Sequence, residues 1–207
     1  LCNFTCYGPI YPFSEMFNEM DKRGCDFWGA AKHPEQKNYL LPNNKGWIHE
    51  HIMSYFMVMR HNMLISPYFK EYWDNIPQIN TKTESTAYHE TVFTKYFEEL
   101  GFTSDAFVDL KKYEGRANNG SIFYANEFLI KDRCPLVKRR AFFFPLYDNI
   151  LDYSDGHQAN ELLDFITHQT NYDEDMIWDD ILATQPMSTI MNNLQLNYMV
   201  SNQPTGA

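Results

Sequence analysis

The sequence predicts an α/β fold, with a sheet-containing body over residues 1–144 and a helical part over residues 145–207. Up to residue 144, short apolar or β-prone runs alternate with segments of helical periodicity. The last third of the chain shows helical periodicity without a strand pattern. The 207 residues are 44% hydrophobic and include only 9 Gly and 10 Pro, a composition that favours a packed core over disorder.

The predicted strands are short and separated by turns. The segment His49–Met59 is rich in aromatic and β-prone residues and too apolar for an edge strand, so we expect it in the centre of the sheet. A polar stretch with Pro34, Pro42 and Asn43-Asn44 predicts a surface loop over residues 32–47. The other predicted strand or extended segments are Leu1–Tyr7, Cys25–Ala31, Ala106–Leu110 and Leu136–Phe144.

Capping residues and apolar spacing predict the helices. Ser66-Pro67 is a typical helix start, with Ser as the cap and Pro in the first turn, and the helix should run to about Asn75. A broad apolar stripe indicates a second helix from about Ser85 to Leu100, with Gly101 as its stop. The remaining predicted helical segments are Pro12–Arg23, Asn126–Lys131, 147–153, 158–169, 173–184 and 187–199.

Charge is distributed unevenly along the chain. The formal net charge is -10, from 17 Lys+Arg and 27 Asp+Glu. Residues 1–140 hold all 17 basic residues, whereas residues 141–207 hold 10 acids and no Lys or Arg. This composition argues against general nucleic-acid binding, because polyanions bind to broad basic surfaces. The triplet Lys138-Arg139-Arg140 indicates either a local anion site or a surface cluster that pairs with the acidic helices.

The apolar runs and the cysteines indicate in which cellular compartment the protein resides. The longest apolar stretch, Ile52–Met59, is far shorter than the roughly 20 residues of a membrane span, and the sequence shows no signal-peptide pattern. Cys2, Cys6, Cys25 and Cys134 include no zinc-type Cys-x-x-Cys pair. They predict buried free thiols in a reducing, cytoplasmic setting, with metal binding by Cys2 and Cys6 as the alternative.

Several segments carry a resemblance to a known family and follow its order along the chain. They are Cys6–Ile10, Cys25–Gly29, Glu50–Phe56, Ser66–Trp73, His89–Phe97 followed by Gly101-Phe102, Pro135–Phe143 and Thr170–Asp173. Together they cover nearly the whole chain and resemble the rhamnan synthesis protein F family. The resemblance implies a bacterial glycosyltransferase for rhamnose-containing cell-surface polysaccharide, with a GT-A-like mixed sheet flanked by helices. It also implies a nucleotide-sugar donor and a nucleotide-binding first half upstream of Leu1.

Glu90 is the candidate catalytic residue. An inverting glycosyl transfer needs a general base for the acceptor hydroxyl and a cationic group for the departing diphosphate. Glu90 lies in the first turns of its predicted helix, off the apolar stripe, and at the family's matching Glu position. The alternative is an ordinary solvated carboxylate that the helix dipole favours.

Candidate substrate-binding residues come from the basic triplet and from a histidine. Lys138, Arg139 and Arg140 are candidates for the diphosphate, because guanidinium groups bind phosphate oxygens in a bidentate way. On a strand, Lys138 and Arg140 would share one face and Arg139 would lie on the other. His51 matches a family block and is expected to contact a sugar hydroxyl or phosphate. A core histidine is the alternative, and His49, two residues earlier, would allow a metal pair.

The turn near the N-terminus departs from the family pattern. Where the family has Asn-Asp-Ser ahead of Tyr-Gly-Pro, this chain has Asn3-Phe4-Thr5, and we expect Asn3, Thr5 and Tyr7 to line the substrate site. A divalent cation, Mg or Mn, on the donor diphosphate would lose a carboxylate ligand at Phe4. The formal Asp-x-Asp pattern Asp173-Glu174-Asp175 instead predicts a helix start.

These observations lead to one predicted function and one alternative. The first is transfer of a deoxyhexose, expected to be rhamnose, from a nucleotide-diphosphate donor to a polysaccharide or lipid-linked acceptor, in the cytoplasm or at the inner face of the plasma membrane. The alternative is a catalytically inactive carbohydrate-binding or assembly module with the same fold. Phe4 favours the alternative, whereas Glu90 and the basic triplet favour the transferase.

Overall fold

A computed structural model describes residues 1–37, 41–42, 46–113, 120–143 and 158–193. These residues form a mixed α/β fold with small sheets, so the predicted α/β class is confirmed. The chain divides into two compact units: unit 1 comprises Leu1–Phe4 and Ser14–Glu114, and unit 2 comprises Thr5–Phe13 and Gly115–Ala207. The predicted boundary between residues 144 and 145 lies outside the described residues.

The regular elements alternate along the chain. The strands are β1 Cys6–Tyr7, β2 Phe27–Gly29, β3 Lys32–His33, β4 Gln36–Lys37, β5 Trp47–Ile48, β6 His51–Ile52, β7 Met57–Met59, β8 Ser104–Ala106 and β9 Val137–Lys138. The α-helices are α1 Phe13–Arg23, α2 His61–Leu64, α3 Pro67–Asp74, α4 Lys82–Ser85, α5 Thr91–Glu99, α6 Gly120–Phe123, α7 Ala125–Ile130, α8 Arg140–Phe143, α9 Gln158–Gln169, α10 Asp175–Thr184 and α11 Met187–Asn193. A π-helical turn, Thr86–Glu90, connects α4 to α5, and a 3₁₀ turn spans Leu110–Tyr113.

The main sheet of unit 1 has β2 in its centre. β7 pairs with β2 in antiparallel orientation, and β8 pairs with β2 in parallel orientation. Gly29 ends β2 where the chain of β6 and β7 approaches closely, because a Cβ at this position would overlap Ile52 Cγ2 and lie 2.9 Å from the carbonyl oxygen of Phe56. Only glycine permits this approach.

Aromatic side chains form the core of unit 1 against α3 and α5. Phe27, Phe93 and Phe97 are buried, and the ring centroids of Phe93 and Phe97 are 4.7 Å apart. The Ser66 hydroxyl accepts a hydrogen bond from the Phe69 N–H at 3.1 Å, so the predicted cap of α3 is confirmed. The Thr94 hydroxyl accepts from the Ile52 N–H at 2.9 Å, which fixes α5 against β6.

Unit 2 packs helices around the short β1–β9 ladder. Leu129, Leu162, Ile166 and Ile177 are fully buried and belong to one cluster contributed by α7, α9 and α10. Burial of such aliphatic side chains stabilises the unit by about 1.5–3 kcal/mol for each of them. The Gln158 side chain donates to the Ile122 carbonyl at 2.6 Å, so a buried amide group is also satisfied.

One strand prediction and one loop prediction are wrong for the same physical reason. The segment His49–Met59 is not one central strand: a turn at Ser54-Tyr55 divides it into β6 and β7, and β7 lies at the edge of its sheet. Residues 32–47, predicted as a loop, contribute β3, β4 and β5. In both cases the cross-strand partner, rather than local composition, decides which residues form a ladder.

Two further predicted strands differ in extent. β8 ends at Ala106, where the Ala106–Leu110 strand was expected to begin. The Leu136–Phe144 strand stops at Lys138, and α8 begins at Arg140. The predicted helix 147–153 and residues 194–199 of the last predicted helix lie outside the described residues.

The helix predictions over 158–169 and 173–184 are confirmed by α9 and α10. Cys25 and Cys134 are buried thiols, as predicted, whereas Cys2 is exposed. Among the helices that the structure describes, none has the length and apolar composition needed to cross a membrane.

Candidate functional site

Glu90 lies at the end of the π-helical turn in unit 1. The Thr91 N–H donates to the Thr86 carbonyl, five residues earlier, which is the hydrogen-bond spacing of a π-helix. The Thr91 hydroxyl also donates to the carbonyls of Thr86 and Ala87 at 3.1 and 3.3 Å, so its side chain adds to the hydrogen bonds of the π turn. Such turns occur frequently at functional sites.

One oxygen of the Glu90 carboxylate is held by the turn between β6 and β7. Oε1 accepts from the Ser54 N–H at 3.0 Å and from the Ser54 hydroxyl at 2.9 Å. The Glu90 side chain is partly buried, and its Oε2 has no hydrogen-bond partner among the described residues. The solvated surface carboxylate considered for Glu90 therefore does not describe its position, since the group is oriented by two hydrogen bonds and keeps one oxygen available to accept a proton.

His51 stacks against a histidine that the sequence did not single out. β3 and β6 pair His33 directly opposite His51, and the two rings stack with centroids 5.2 Å apart and an interplanar angle of 14°. His51 Nδ1 contacts the His49 carbonyl, and His33 Nδ1 contacts the Pro34 carbonyl, both at 2.8 Å. Because a carbonyl only accepts, Nδ1 carries the proton in each neutral ring and Nε2 keeps its lone pair.

Burial keeps both stacked rings neutral. Burial lowers the pKa of His51 below its usual range, although the His49 carbonyl and the negative charge of Glu90 oppose that shift. Burial, followed by the neighbouring His51, also lowers the pKa of His33. Glu90 is bonded to Ser54, three residues after His51, and His33 lies opposite His51 in the ladder, so the structure brings the predicted residues His51 and Glu90 into one region of unit 1 with His33 and Ser54.

His49 has different neighbours from His51. Its Nε2 lies 3.0 Å from Lys95 Nζ, and the centroids of its ring and the Trp47 ring are 5.4 Å apart. A cation donating to Nε2 competes with any metal for that lone pair. The parts of the chain that the structure describes contain no group of three or more His, Cys, Asp or Glu side chains that could hold a metal ion.

Arg139 is bound by an acidic side chain of unit 2. Its Nε and Nη2 donate to Asp180 Oδ2 and Oδ1 at 2.8 and 2.6 Å, and the Tyr7 hydroxyl donates to Asp180 Oδ2 at 2.6 Å. Burial, reinforced by Asp180, raises the pKa of Tyr7 well above its usual range. The bidentate geometry that a phosphate would use is therefore occupied by a carboxylate of α10. Diphosphate binding by Arg139 stays a prediction that would require this pair to open.

The other predicted binding residues occupy varied positions. Lys138 ends β9 half-buried and Arg140 begins α8 in an exposed position, so the expected alternation of faces along a strand does not apply to them. The Thr5 carbonyl accepts from the Arg139 N–H at 2.9 Å in unit 2. In unit 1, Asn3 is exposed and its N–H donates to the Tyr55 carbonyl at 3.1 Å. Substrate contacts by these residues stay predictions.

The residues expected to support a divalent cation fit it poorly. Phe4 stands where the family's acid is expected, and its side chain is 82% exposed. The Asp173 carboxylate accepts from the Asp175 N–H at 3.2 Å, at the start of α10, as the helix-start interpretation predicted. The described residues therefore offer no carboxylate cluster to which a metal-dependent step could be assigned.

Sequence reasoning missed His33 and Ser54. His33 fell within the predicted loop, and Ser54 is separated from Glu90 by 36 residues. The signal that could have found His33 is the antiparallel register with His51, which needs knowledge of the β3–β6 pairing. No local pattern marks Ser54 as a partner of a distant carboxylate.

Comparison with known proteins identifies a family. The family model described as Rhamnan synthesis protein F matches residues 1–206 of this chain. No curated protein and no solved structure matches it.

Proposed function

The chain belongs to the rhamnan synthesis protein F family, and we propose that it transfers a deoxyhexose, namely rhamnose, from a nucleotide-diphosphate donor to a growing cell-surface polysaccharide. The family gives the chain a role in polysaccharide synthesis. The transfer reaction, the donor and the acceptor are our proposal. The observation that carries it is the Glu90 carboxylate, held through one oxygen by Ser54 near the stacked pair of the buried His51 and the half-buried His33.

Glu90 acts as the general base in this proposal. The acceptor hydroxyl oxygen attacks the anomeric carbon of the donor sugar, while Glu90 Oε2 takes the hydroxyl proton. The bond between the anomeric carbon and the donor phosphate oxygen breaks, and its electron pair leaves with the nucleoside diphosphate. Ser54 orients Glu90, since both of its hydrogen bonds go to Oε1 and leave Oε2 for the acceptor.

The two histidines serve as neutral hydrogen-bond acceptors. With Nδ1–H donated to a backbone carbonyl, Nε2 of His51 is available to accept a sugar hydroxyl, as the sequence predicted for this residue. Because burial lowers the pKa of His51, its ring adds no positive charge beside the Glu90 carboxylate at neutral pH. Stacking of His33 on His51 restrains the ring that would contact the sugar.

A GT-A-like architecture and a cytoplasmic reaction belong to the same proposal. The small mixed sheet of unit 1, with β7 antiparallel and β8 parallel to β2, is compatible with part of a GT-A-like sheet. A nucleotide-sugar donor would place the reaction on the cytoplasmic side of the plasma membrane. Lys138, Arg139 and Arg140 are the sequence-based candidates for the diphosphate, and Arg139 would have to leave Asp180 to bind it.

A carbohydrate-binding module without catalysis is the second candidate function. The exposed Phe4 favours it, because this position contributes no carboxylate for a donor-bound cation. Such a module would bind saccharide but would release no nucleoside diphosphate.

Product detection separates the two functions. The full-length protein is incubated with nucleotide-diphosphate rhamnose and a rhamnose oligosaccharide, and the nucleoside diphosphate and extended oligosaccharide are quantified together. The transferase proposal expects both products in equal amounts and expects neither when the acceptor is omitted. Saccharide binding with neither product would establish the binding module instead.

A further inference from the structure

A cavity in unit 1 lies apart from the interactions of Glu90 described above. It has a volume of about 300 Å³ and is lined by α3, the residues that follow it, the π turn and α5. Ligand-binding clefts usually begin at about this volume. The Tyr72, Tyr88 and Tyr96 rings and the His89 imidazole contribute its aromatic surface, and the ring centroids of Tyr72 and Tyr96 are 5.2 Å apart.

Exposed polar side chains belong to the lining of this cavity. Among the described residues, the Glu71 carboxylate and the Tyr88 hydroxyl have no hydrogen-bond or ion-pair partner. The Asn75 amide nitrogen donates to the Glu71 carbonyl at 2.9 Å, which leaves the Asn75 side-chain oxygen as an acceptor. Aromatic faces next to several acceptors and donors are the combination that binds a pyranose ring, whose C–H face is apolar and whose edge carries hydroxyls.

His89 provides a second, independent observation. Its Nδ1 lies 3.4 Å from the Tyr72 hydroxyl, whereas its Nε2 is buried and has no hydrogen-bond partner among the described residues. A buried polar atom without a partner is uncommon in native proteins, and the imidazole that carries it belongs to the cavity lining. The π turn that places Glu90 beside Ser54 also places His89 at this cavity.

The charge of the lining selects the class of ligand. The eight lining residues include one carboxylate and no Lys or Arg. Burial lowers the pKa of His89, so its ring adds no positive charge at neutral pH. The Glu71 carboxylate would repel a diphosphate, because the lining has no Lys or Arg to compensate. A neutral saccharide carries no charge and would not be repelled.

We propose that this cavity binds a neutral pyranose unit of the polysaccharide, separately from the nucleotide-sugar donor. The ring stacks on the tyrosine surface beside the His89 imidazole, and its hydroxyls bond to Glu71 and Tyr88. Binding of the saccharide stands on the cavity itself. Its role as a subsite for the acceptor chain rests on the proposed transferase function.

The test is a binding titration without donor, so that it does not depend on turnover. The full-length protein with ¹⁵N-labelled histidines is titrated with methyl α-rhamnoside, with a rhamnose oligosaccharide and, separately, with UDP. The Nε2 signal of His89 should shift in a saturable way with both saccharides and should not shift with UDP. Signals of His33 and His51 report on the Glu90 cluster in the same spectra.

Two tyrosine variants make the test specific. Tyr88→Ala removes a cavity wall that is 37% exposed, and Tyr68→Ala removes a similarly exposed side chain, 43%, from α3 outside the cavity. Tyr88→Ala should weaken saccharide binding by about tenfold, and Tyr68→Ala should leave it unchanged. Both tyrosines are exposed, so both variants should fold.

The outcomes separate this inference from the proposed function. Absence of a saturable His89 shift with either saccharide, or equal affinities of Tyr88→Ala and Tyr68→Ala, would overturn the inference. A shift of His51 in place of His89 would overturn it as well, because it would assign the saccharide to the other site. Saccharide binding at His89 in a protein that forms no transfer product would uphold this inference and refute the transferase.

Discussion

Replacement of Asp180 tests whether the Arg139 pair holds unit 2 together. Asp180 accepts three hydrogen bonds from two side chains, Tyr7 and Arg139. Hydrogen bonds to a charged group contribute about 1.5–3 kcal/mol each. The side chains of Arg139 and Asp180 are 20% and 26% exposed, so water compensates part of the loss. We expect Asp180→Ala to lower the free energy of unfolding by about 2–4 kcal/mol.

The neighbouring Asp179 supplies a matched control on the same helix. Its side chain is exposed and has no ion-pair or hydrogen-bond partner among the described residues. Asp179→Ala should therefore change stability by no more than about 0.5 kcal/mol. Both substitutions remove one negative charge, so their difference isolates the contacts with Tyr7 and Arg139.

The free energy of unfolding is measured by urea denaturation, with amide hydrogen exchange at Leu162 and Ile166 as the probe. These two amides report on unit 2 because both residues lie in its core. The same experiment on Arg139→Ala and on the double variant yields the coupling energy. Additive effects of Arg139→Ala and Asp180→Ala, or equal stabilities of the two aspartate variants, would refute the structural role of the pair.

Three further predictions concern unit 1. Gly29→Ala should lower the free energy of unfolding by more than about 2 kcal/mol, because the added methyl overlaps Ile52, and a thermal melt like that of wild type would contradict the close approach. Ser66→Ala should cost about 1 kcal/mol through loss of the α3 cap, measured by chemical unfolding against Ser66→Thr, which retains a hydroxyl. In the folded state the pKa values of His33 and His51 lie below their ordinary value. The unfolded chain therefore binds more protons than the folded chain as the pH falls below about 6.5, and the free energy of unfolding should decrease there. Proton NMR of the two rings checks this, and a folded pKa above 6.5 for either ring would contradict it.

Local signals in the sequence predicted the helices well. Ser66-Pro67 identified the start of α3 because both signals are local. The Ser66 side chain caps a backbone N–H three residues later, and the proline occupies the first turn. The apolar stripe around Phe93 and Phe97 identified α5, whose core face is set by a period of 3.6 residues. The sequence did not predict the π turn, since no side-chain pattern distinguishes five residues of π-helix from an α-helix.

The strands and the partners of the site residues depend on long-range contacts. Ladders of two or three residues leave too short a pattern for alternation to be detected. Glu90 and His51 were predicted individually, but Ser54 and His33 became visible only when the β6–β7 turn and the β3–β6 register were known. The sequence predicted that the basic triplet could pair with the acidic C-terminal helices. It did not identify Asp180, which is 41 residues from Arg139, as the partner.

The rate of transfer by Glu90→Gln tests the central claim most directly. The substitution keeps the shape of the side chain, and its amide oxygen can still accept the two bonds from Ser54, but it cannot take a proton from the acceptor hydroxyl. Glu99→Gln, at an exposed position of α5, the helix that follows Glu90, is the control. The proposed mechanism predicts that kcat for rhamnose transfer falls by about 10²–10⁴-fold in Glu90→Gln, with saccharide affinity and the Glu99→Gln rate unchanged. A kcat for Glu90→Gln equal to that of wild type would contradict it.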